Sequence, residues 1–377
     1  MKMLRSRVIL FAALFLAGCD RIRSAGEDAV RITGDSVVMI EPEAEGLYMP
    51  LRAQARFSNG GFLADNGTSI DQFDERGRFV RRIGRAGSGP GEFQRISTIL
   101  TLPGDSLFAA VDARRARILV FETASGTLRR EVPVRPFFPG QQWRWYGDTV
   151  VMPSKLSATP FTSWIPSTDS VWSWGGVPEI FSESITAYSQ GGEPSIVRRG
   201  EGWLAVYPAD GRVFELSADG TIRRAIGIPV VHRRGTPPAL ADSVAAIGAS
   251  GVFRYAASLV FAIWEMPNGS YALVHMDTDP KLNEESYAAS NGAGGITYEN
   301  TSYWVTVLSQ DLSHACPDAR VPFEPDNLIV PFFKEDSVFF LTRRVATDTT
   351  AHAVLHRFRL DDSQCVWVST IAASLPR

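Results

Sequence analysis

The run His275-Met276-Asp277-Thr278-Asp279 is the densest group of candidate ligands in the sequence. On an extended strand, residues 275, 277 and 279 point to one face. One imidazole and two carboxylates there could hold Ca²⁺ or another divalent cation. The same pattern also fits a strand ending in a polar turn before Pro280. Asp65 and Asp112 sit at matching positions of a repeat and could serve as ligands at a loop-lined mouth. His352 and His356 share a strand face without an acidic pair nearby, and His232 and His314 stand alone. No catalytic residue is assignable, since no Gly-x-Ser-x-Gly precedes a helical pattern and no nucleophile stands beside a base. The glycine-rich run 84–91 lacks both the Lys-Ser/Thr and the following helix of a phosphate loop.

These residues must be positioned by short strands. Four segments share one grammar of strand, turn, strand, turn and strand: 61–84, 105–130, 202–224 and 336–368. The strands are β-branched and aromatic, and turn residues flank them. Composition agrees: 45% hydrophobic, 21% charged, 32 Gly, 23 Pro, nine Trp and 22 Phe describe a turn-rich chain with a real core. Repeats of roughly 40–50 residues, each a small antiparallel sheet, predict an all-β chain folded as a β-propeller. Six four-stranded blades are expected, at 52–84, 96–134, 138–180, 194–230, 251–323 and 327–371. A seven-bladed ring and a pair of β-sandwiches are the alternatives. The run Asp35–Ile40 reads as an extra strand that pairs with the last blade and seals the ring. Thr236, Pro237 and Pro238 before an Ala-rich run to Ile247 read as one helix. The insertion 277–303 carries Tyr287, Tyr298 and Tyr303 and reads as a binding loop.

The motif Ile83-Gly84-Arg85-Ala86-Gly87-Ser88-Gly89-Pro90-Gly91-Glu92-Phe93 follows Asp65, Ile70, Phe73 and Gly77. Together they resemble the NHL-type repeat of bacterial six-bladed β-propeller lipoproteins. That resemblance implies the fold more than any chemistry. It also implies that Asp65 and Asp112 brace turns by accepting backbone N–H bonds. At the N-terminus, Lys2, Arg5 and Arg7 precede an apolar run from Val8 to Phe15 that is too short to span a bilayer. It closes on Leu16-Ala17-Gly18-Cys19, which resembles the lipobox of bacterial lipoproteins and implies cleavage after residue 18 and acylation of Cys19. The expected organisation is a signal peptide over 1–18, a lipidated tether over 19–34 and a propeller domain over 35–377. Losing 1–18 removes three basic and no acidic residues, so the formal charge moves from −3 to −6. Nothing in that balance suits nucleic acid. Outside the cytoplasm, Cys316 and Cys365 are expected to pair, the alternative being two buried thiols. A loop closed between them would contribute on the order of 4 kcal/mol.

The expected function is a monomeric, lipid-anchored binding module of the bacterial cell envelope, facing the periplasm or the exterior. Its only membrane contact is through Cys19, and its ligand is a protein, a peptide or a glycan. The alternative is a metal-dependent hydrolase or lyase resembling the lactonases built on six-bladed propellers, with a cation in the central channel.

Overall fold

A computed structural model describes residues 30–39, 54–134, 143–154, 159–178, 193–208, 210–228, 259–278, 301–322, 332–334, 337–345 and 351–373. Every regular element among them is a strand, and the strands form six antiparallel sheets. The first strand, β1 (Arg31–Met39), pairs with the far end of the chain. Blade 1 is β2 (Gln54–Arg56), β3 (Phe62–Asp65), β4 (Ile70–Phe73) and β5 (Phe79–Ile83). Blade 2 is β6 (Ile96–Thr101), β7 (Leu107–Asp112), β8 (Arg117–Glu122) and β9 (Leu128–Pro133). Blade 3 is β10 (Arg144–Tyr146), β11 (Thr149–Pro153), β12 (Phe161–Ile165) and β13 (Ser170–Trp174). Blade 4 is β14 (Ser195–Arg199), β15 (Gly202–Val206), β16 (Arg212–Leu216) and β17 (Ile222–Gly227). Blade 5 is β18 (Leu259–Glu265), β19 (Tyr271–Thr278), β20 (Thr301–Leu308) and β21 (His314–Arg320). Blade 6 is β22 (Phe332–Lys334), β23 (Ser337–Val345) and β24 (Ala351–Asp361), completed by β1.

The central strands are apolar on both faces because each blade is covered on both sides. In β3, Leu63 packs toward blade 2, while Phe62 and Ala64 pack toward blade 6. In β7, Phe108 and Ala110 meet blade 1, while Ala109 and Val111 meet blade 3. In β15, Trp203 and Ala205 meet blade 3, while Leu204 and Val206 meet blade 5. The six apolar clusters thus fall between successive blades and run once around the ring. At one junction Phe108 and Phe121 stack at 5.2 Å, and Phe93 leans on Phe121 at 5.8 Å. Truncating Phe108 to Ala would cost about 3–5 kcal/mol.

The shared Gly-x-apolar-x-Arg run has a local cause. In blades 1, 2 and 4 the fourth strand shifts register after its first residue, which leaves Val80, Arg129 and Arg223 as bulge residues facing solvent. In blades 1 and 2 the Arg after the bulge reaches forward into the next blade, Arg81 donating to the Ala124 carbonyl and Arg130 to the Pro166 carbonyl, whereas Arg224 of blade 4 donates to Glu215 of its own blade. Gly220 opens this run in blade 4, at φ +83°, and a Cβ there would lie 2.4 Å from the Gly175 Cα of blade 3. Only glycine lets those two turns approach so closely.

Ring closure follows the expected route. β1 pairs antiparallel with β24 from Arg31–Asp361 to Met39–Ala353, so the N-terminal strand becomes the outer strand of blade 6. Cys316 and Cys365 form a disulfide with Cα atoms 5.6 Å apart. The expected placement of Cys365–Val368 as a strand of the last blade is corrected. With β1 occupying that edge, the tail after Asp361 crosses to its neighbours instead. β25 (Val368–Ser369) adds to β21 of blade 5, and β26 (Ile371–Ala373) adds to β17 of blade 4. Two sheets therefore have five strands rather than four. The helix expected over 236–247 lies outside the described residues.

Alternating strand direction sorts the connections by end. First-to-second and third-to-fourth strands are joined by tight turns, such as 57–61, 74–78, 123–127, 217–221, 266–270 and 309–313. The links that leave the opposite strand ends include 84–95, 134–143, 175–194, 228–258, 279–300 and 321–331. Around the axis the ring therefore has a short-turn end and a loop-rich end, and at the outer rim the two meet, as the Gly220 turn does with Gly175 at the start of a link.

Candidate functional site

His275 and Asp277 lie near the loop-rich end of β19, on one face as the period of two requires, and both are buried. What the fold brings to His275 comes from other strands. Its Nε2 is 3.1 Å from the Thr306 hydroxyl of β20, which donates at 2.6 Å to Asp318 Oδ1 of β21. Because the single hydroxyl proton is spent on Asp318, Thr306 accepts from His275, which places a proton on Nε2. His275 and Asp318 stand 3.8 Å apart with side chains only 2% and 0% exposed. Asp318 turns inward because β21 bulges. Val305 pairs with Ala319 and Val307 with Cys316, so Pro317 and Asp318 together oppose Thr306. Proline suits such a bulge, having no N–H to give to the ladder. The relay links three strands inside the blade and is buried. Asp279 lies outside the described residues. Among those residues, no group of three or more His, Cys, Asp or Glu is gathered as a metal site.

Asp65 and Asp112 end the second strands of blades 1 and 2 at the loop-rich end, and both are buried. Asp65 Oδ1 accepts from the Gly67 amide at 2.5 Å, within its own turn. Asp112 takes the Gln94 and Arg95 amides at 3.1 and 3.2 Å, and Arg117 Nη2 stands 3.5 Å from Oδ2. It thereby fixes the link between blades 1 and 2. Arg117 holds the same link through Glu131 at 2.6 Å and the Glu92 carbonyl at 2.6 Å. Beside Asp65, the buried Asp71 accepts from Arg82 Nε at 2.8 Å and from Asn66 at 3.2 Å. Inside the glycine-rich run, Glu92 accepts from the Gly89 amide at 2.7 Å and from Arg85 at 2.8 Å. The Gly89 amide, and then the Arg85 guanidinium, hold its carboxyl below the usual range. The chain's own carboxylate thus fills the place a phosphate would take. Gly84, at φ +72°, lies so close to Phe93 that a Cβ would come within 2.6 Å of the ring.

First strands of neighbouring blades touch, β2 with β6 and β14 with β18, and so line the axis. Arg144 on β10 reaches past blade 4 to donate to the Ile263 carbonyl of blade 5, and it also donates to Ser195 Oγ at 3.2 Å. Ser195 Oγ in turn accepts from the Ile263 amide at 3.1 Å. Burial pulls the Arg144 pKa down. A guanidinium bridging three inner strands is the wrong sign of charge for a cation held nearby.

Two groupings escaped sequence reasoning. At the short-turn end, a cleft of about 810 Å³ is lined by Arg199, Ser309, Gln310, Asp311, His314 and Trp367. Here Ser313 Oγ lies 2.7 Å from both Asp311 Oδ1 and His314 Nδ1. Asp311 bonds the serine rather than the imidazole, and it also takes the Ser309 hydroxyl and the Ser313 amide. The Ser309 hydroxyl, and then the Ser313 amide, hold its carboxyl well below the usual range. The cluster caps a turn and lacks the base-orienting contact of a catalytic triad. The second correction concerns Tyr303, read as part of a recognition loop. It is buried on β20 against Phe340, with ring centroids 5.4 Å apart. Tyr287 and Tyr298 lie outside the described residues.

Residues 66–146 match a protein family described as a 6-bladed beta-propeller. Among solved structures, the chain is similar to a DUF4221-family protein of Bacteroides vulgatus, with a TM-score of 0.59 and 10% identity, covering 90% of this chain and 100% of that one. It is also similar to a Bacteroides fragilis protein described as exported, with a TM-score of 0.57 and 14% identity, covering 90% of this chain and 97% of that one. At such identities the likeness is one of fold. No curated protein matches the chain.

Proposed function

We propose that the chain is a lipid-anchored, extracytoplasmic binding module that takes a protein, peptide or glycan at the loop-rich end of its propeller. One observation carries this reading. Arg31 pairs with Asp361, where β24 runs out at the short-turn end, so the segment from Cys19 joins the ring opposite its long links. A ring tethered there presents its loop-rich end away from the tether. Variable links on a rigid scaffold are where binding residues concentrate, whereas the buried polar groups described above are committed to the fold.

The test has two arms. Cys19→Ser is expected to shift the protein from the membrane pellet toward the soluble fraction, and an unacylated N-terminal peptide in the wild type, read by its mass, refutes the anchor. Replacing 281–297 with a short Gly-Ser link is expected to leave the melting temperature within a few degrees, since shortening a loop changes closure entropy little. It is expected to abolish capture of the partner recovered by the intact chain. Capture at undiminished affinity refutes that placement of the site.

A further inference from the structure

Among the described residues, most of the exposed large apolar side chains fall in one short segment. Val366, Trp367, Val368 and Ile371 are between 36% and 63% exposed. Val80 and Trp172 are the other large apolar side chains so exposed among the described residues. A run of this kind marks an interaction surface.

Its position says what it meets. The tail begins at Asp362, which accepts from Asn268 at 3.0 Å and from the Ser270 hydroxyl at 3.2 Å, in the first tight turn of blade 5. It continues past the other tight turn of that blade, where the Thr370 hydroxyl donates to the Leu312 carbonyl at 2.7 Å. Asp362 to Thr370 therefore cross the short turns of blade 5, while Ile371 pairs with Gly227 where β17 runs out into the 228–258 link. Arg31, the first residue of β1, donates to Gln364 at 2.5 Å. Ten residues separate Cys19 from Val30, a reach of at most about 40 Å. An acyl anchor on Cys19 thus holds the bilayer on the side of the ring where the apolar tail is exposed.

We infer that Val366, Trp367 and Val368 form a second, non-covalent membrane contact that seats the short-turn end on the lipid interface. Tryptophan is suited to that depth, with an apolar body and an N–H for the headgroup region. The disulfide at Cys365 and strand β25 hold the segment in place. Seating the ring there fixes its loop-rich end outward, which a single flexible tether does not. The inference rests on acylation of Cys19.

The experiment uses the full chain expressed in bacteria, extracted and reconstituted into phosphatidylcholine vesicles with brominated acyl chains, which quench nearby tryptophan. With nine tryptophans in the sequence, immersion of Trp367 is expected to remove about a tenth of the emission. Trp367→Phe is expected to abolish that quenching, while Trp172→Phe leaves it unchanged. Val366→Asp with Val368→Asp is expected to abolish it with Trp367 still present and the melting temperature preserved. Equal quenching in wild type and Trp367→Phe overturns the inference and leaves the tail as a surface for a protein partner. The mass of the N-terminal peptide reads acylation separately. An unacylated chain that still shows Trp367-dependent quenching refutes the anchor and supports the surface. An acylated chain without it refutes the surface alone.

Discussion

Replacing Asp112 by Ala separates the two roles open to this carboxylate. The side chain is fully buried and accepts two backbone amides, from Gln94 and Arg95. Both donors belong to exposed residues of a link, so water can satisfy them partly after the change. Each then costs about 1 kcal/mol. Arg117 loses a carboxylate at 3.5 Å but keeps Glu131 and the Glu92 carbonyl, which limits that penalty to about 1 kcal/mol. The sum is about 3 kcal/mol. At roughly 2 °C per kcal/mol for a domain of this size, the melting temperature is expected to fall by about 6 °C. Asp112→Asn keeps one acceptor and is expected to lose about half as much. Thermal unfolding followed by circular dichroism, alongside partner capture, reads both roles. An unchanged melting temperature with capture lost would show that Asp112 serves a ligand and that the bracing argument is wrong.

Other outcomes follow from the same geometry. Replacing Cys316 and Cys365 together by Ala is expected to cost up to about 4 kcal/mol, because the bridge closes a 49-residue segment; an unchanged urea midpoint refutes this. Thr306→Val keeps the shape but takes the donor from Asp318 and the acceptor from His275, at about 2 kcal/mol or more. An unshifted urea midpoint would show the relay to be idle. Burial holds the His356 pKa below its usual value. The unfolded chain therefore binds that proton first as pH falls, so stability is full above about pH 6.5 and declines below it. His356→Gln is expected to flatten that part of the stability-pH curve, and an unaltered slope counts against the burial argument.

The legible part of the fold was its local part. Strand runs, glycine turns and the blade period each need only a few adjacent residues, and so they stand in the sequence. The closing strand was readable because Val37-Val38-Met39-Ile40 had no neighbouring strand to pair with. The Cys365–Val368 run read as a strand of the last blade, but only Val368 lies in a strand, and that strand belongs to blade 5. That assignment depends on β1, more than 300 residues away, already holding the edge of blade 6. The candidate site was less legible for the same reason. His275 and Asp277 were visible as one face of a strand, yet Thr306 and Asp318, which engage His275, reach it only through strand pairing and a bulge. Pro317 within a strand was the one local sign of that bulge.

The division of labour between the two ends follows from strand parity. A four-stranded antiparallel blade has an odd number of turns, so each link to the next blade leaves at the end opposite the blade's first turn. Two tight turns must then share one end, where glycine-assisted hairpins and forward-reaching Arg81 and Arg130 leave little room for insertions. Longer links can grow only at the other end, where Asp112 and Arg117 fix one link between blades at its base. Because blade 6 borrows its outer strand from the N-terminus, the incoming chain is committed to the crowded end. Closing the ring in this way therefore also orients it. The same pairing that seals the sheet edge brings the N-terminal segment in at the short-turn end, and leaves the longer links at the other.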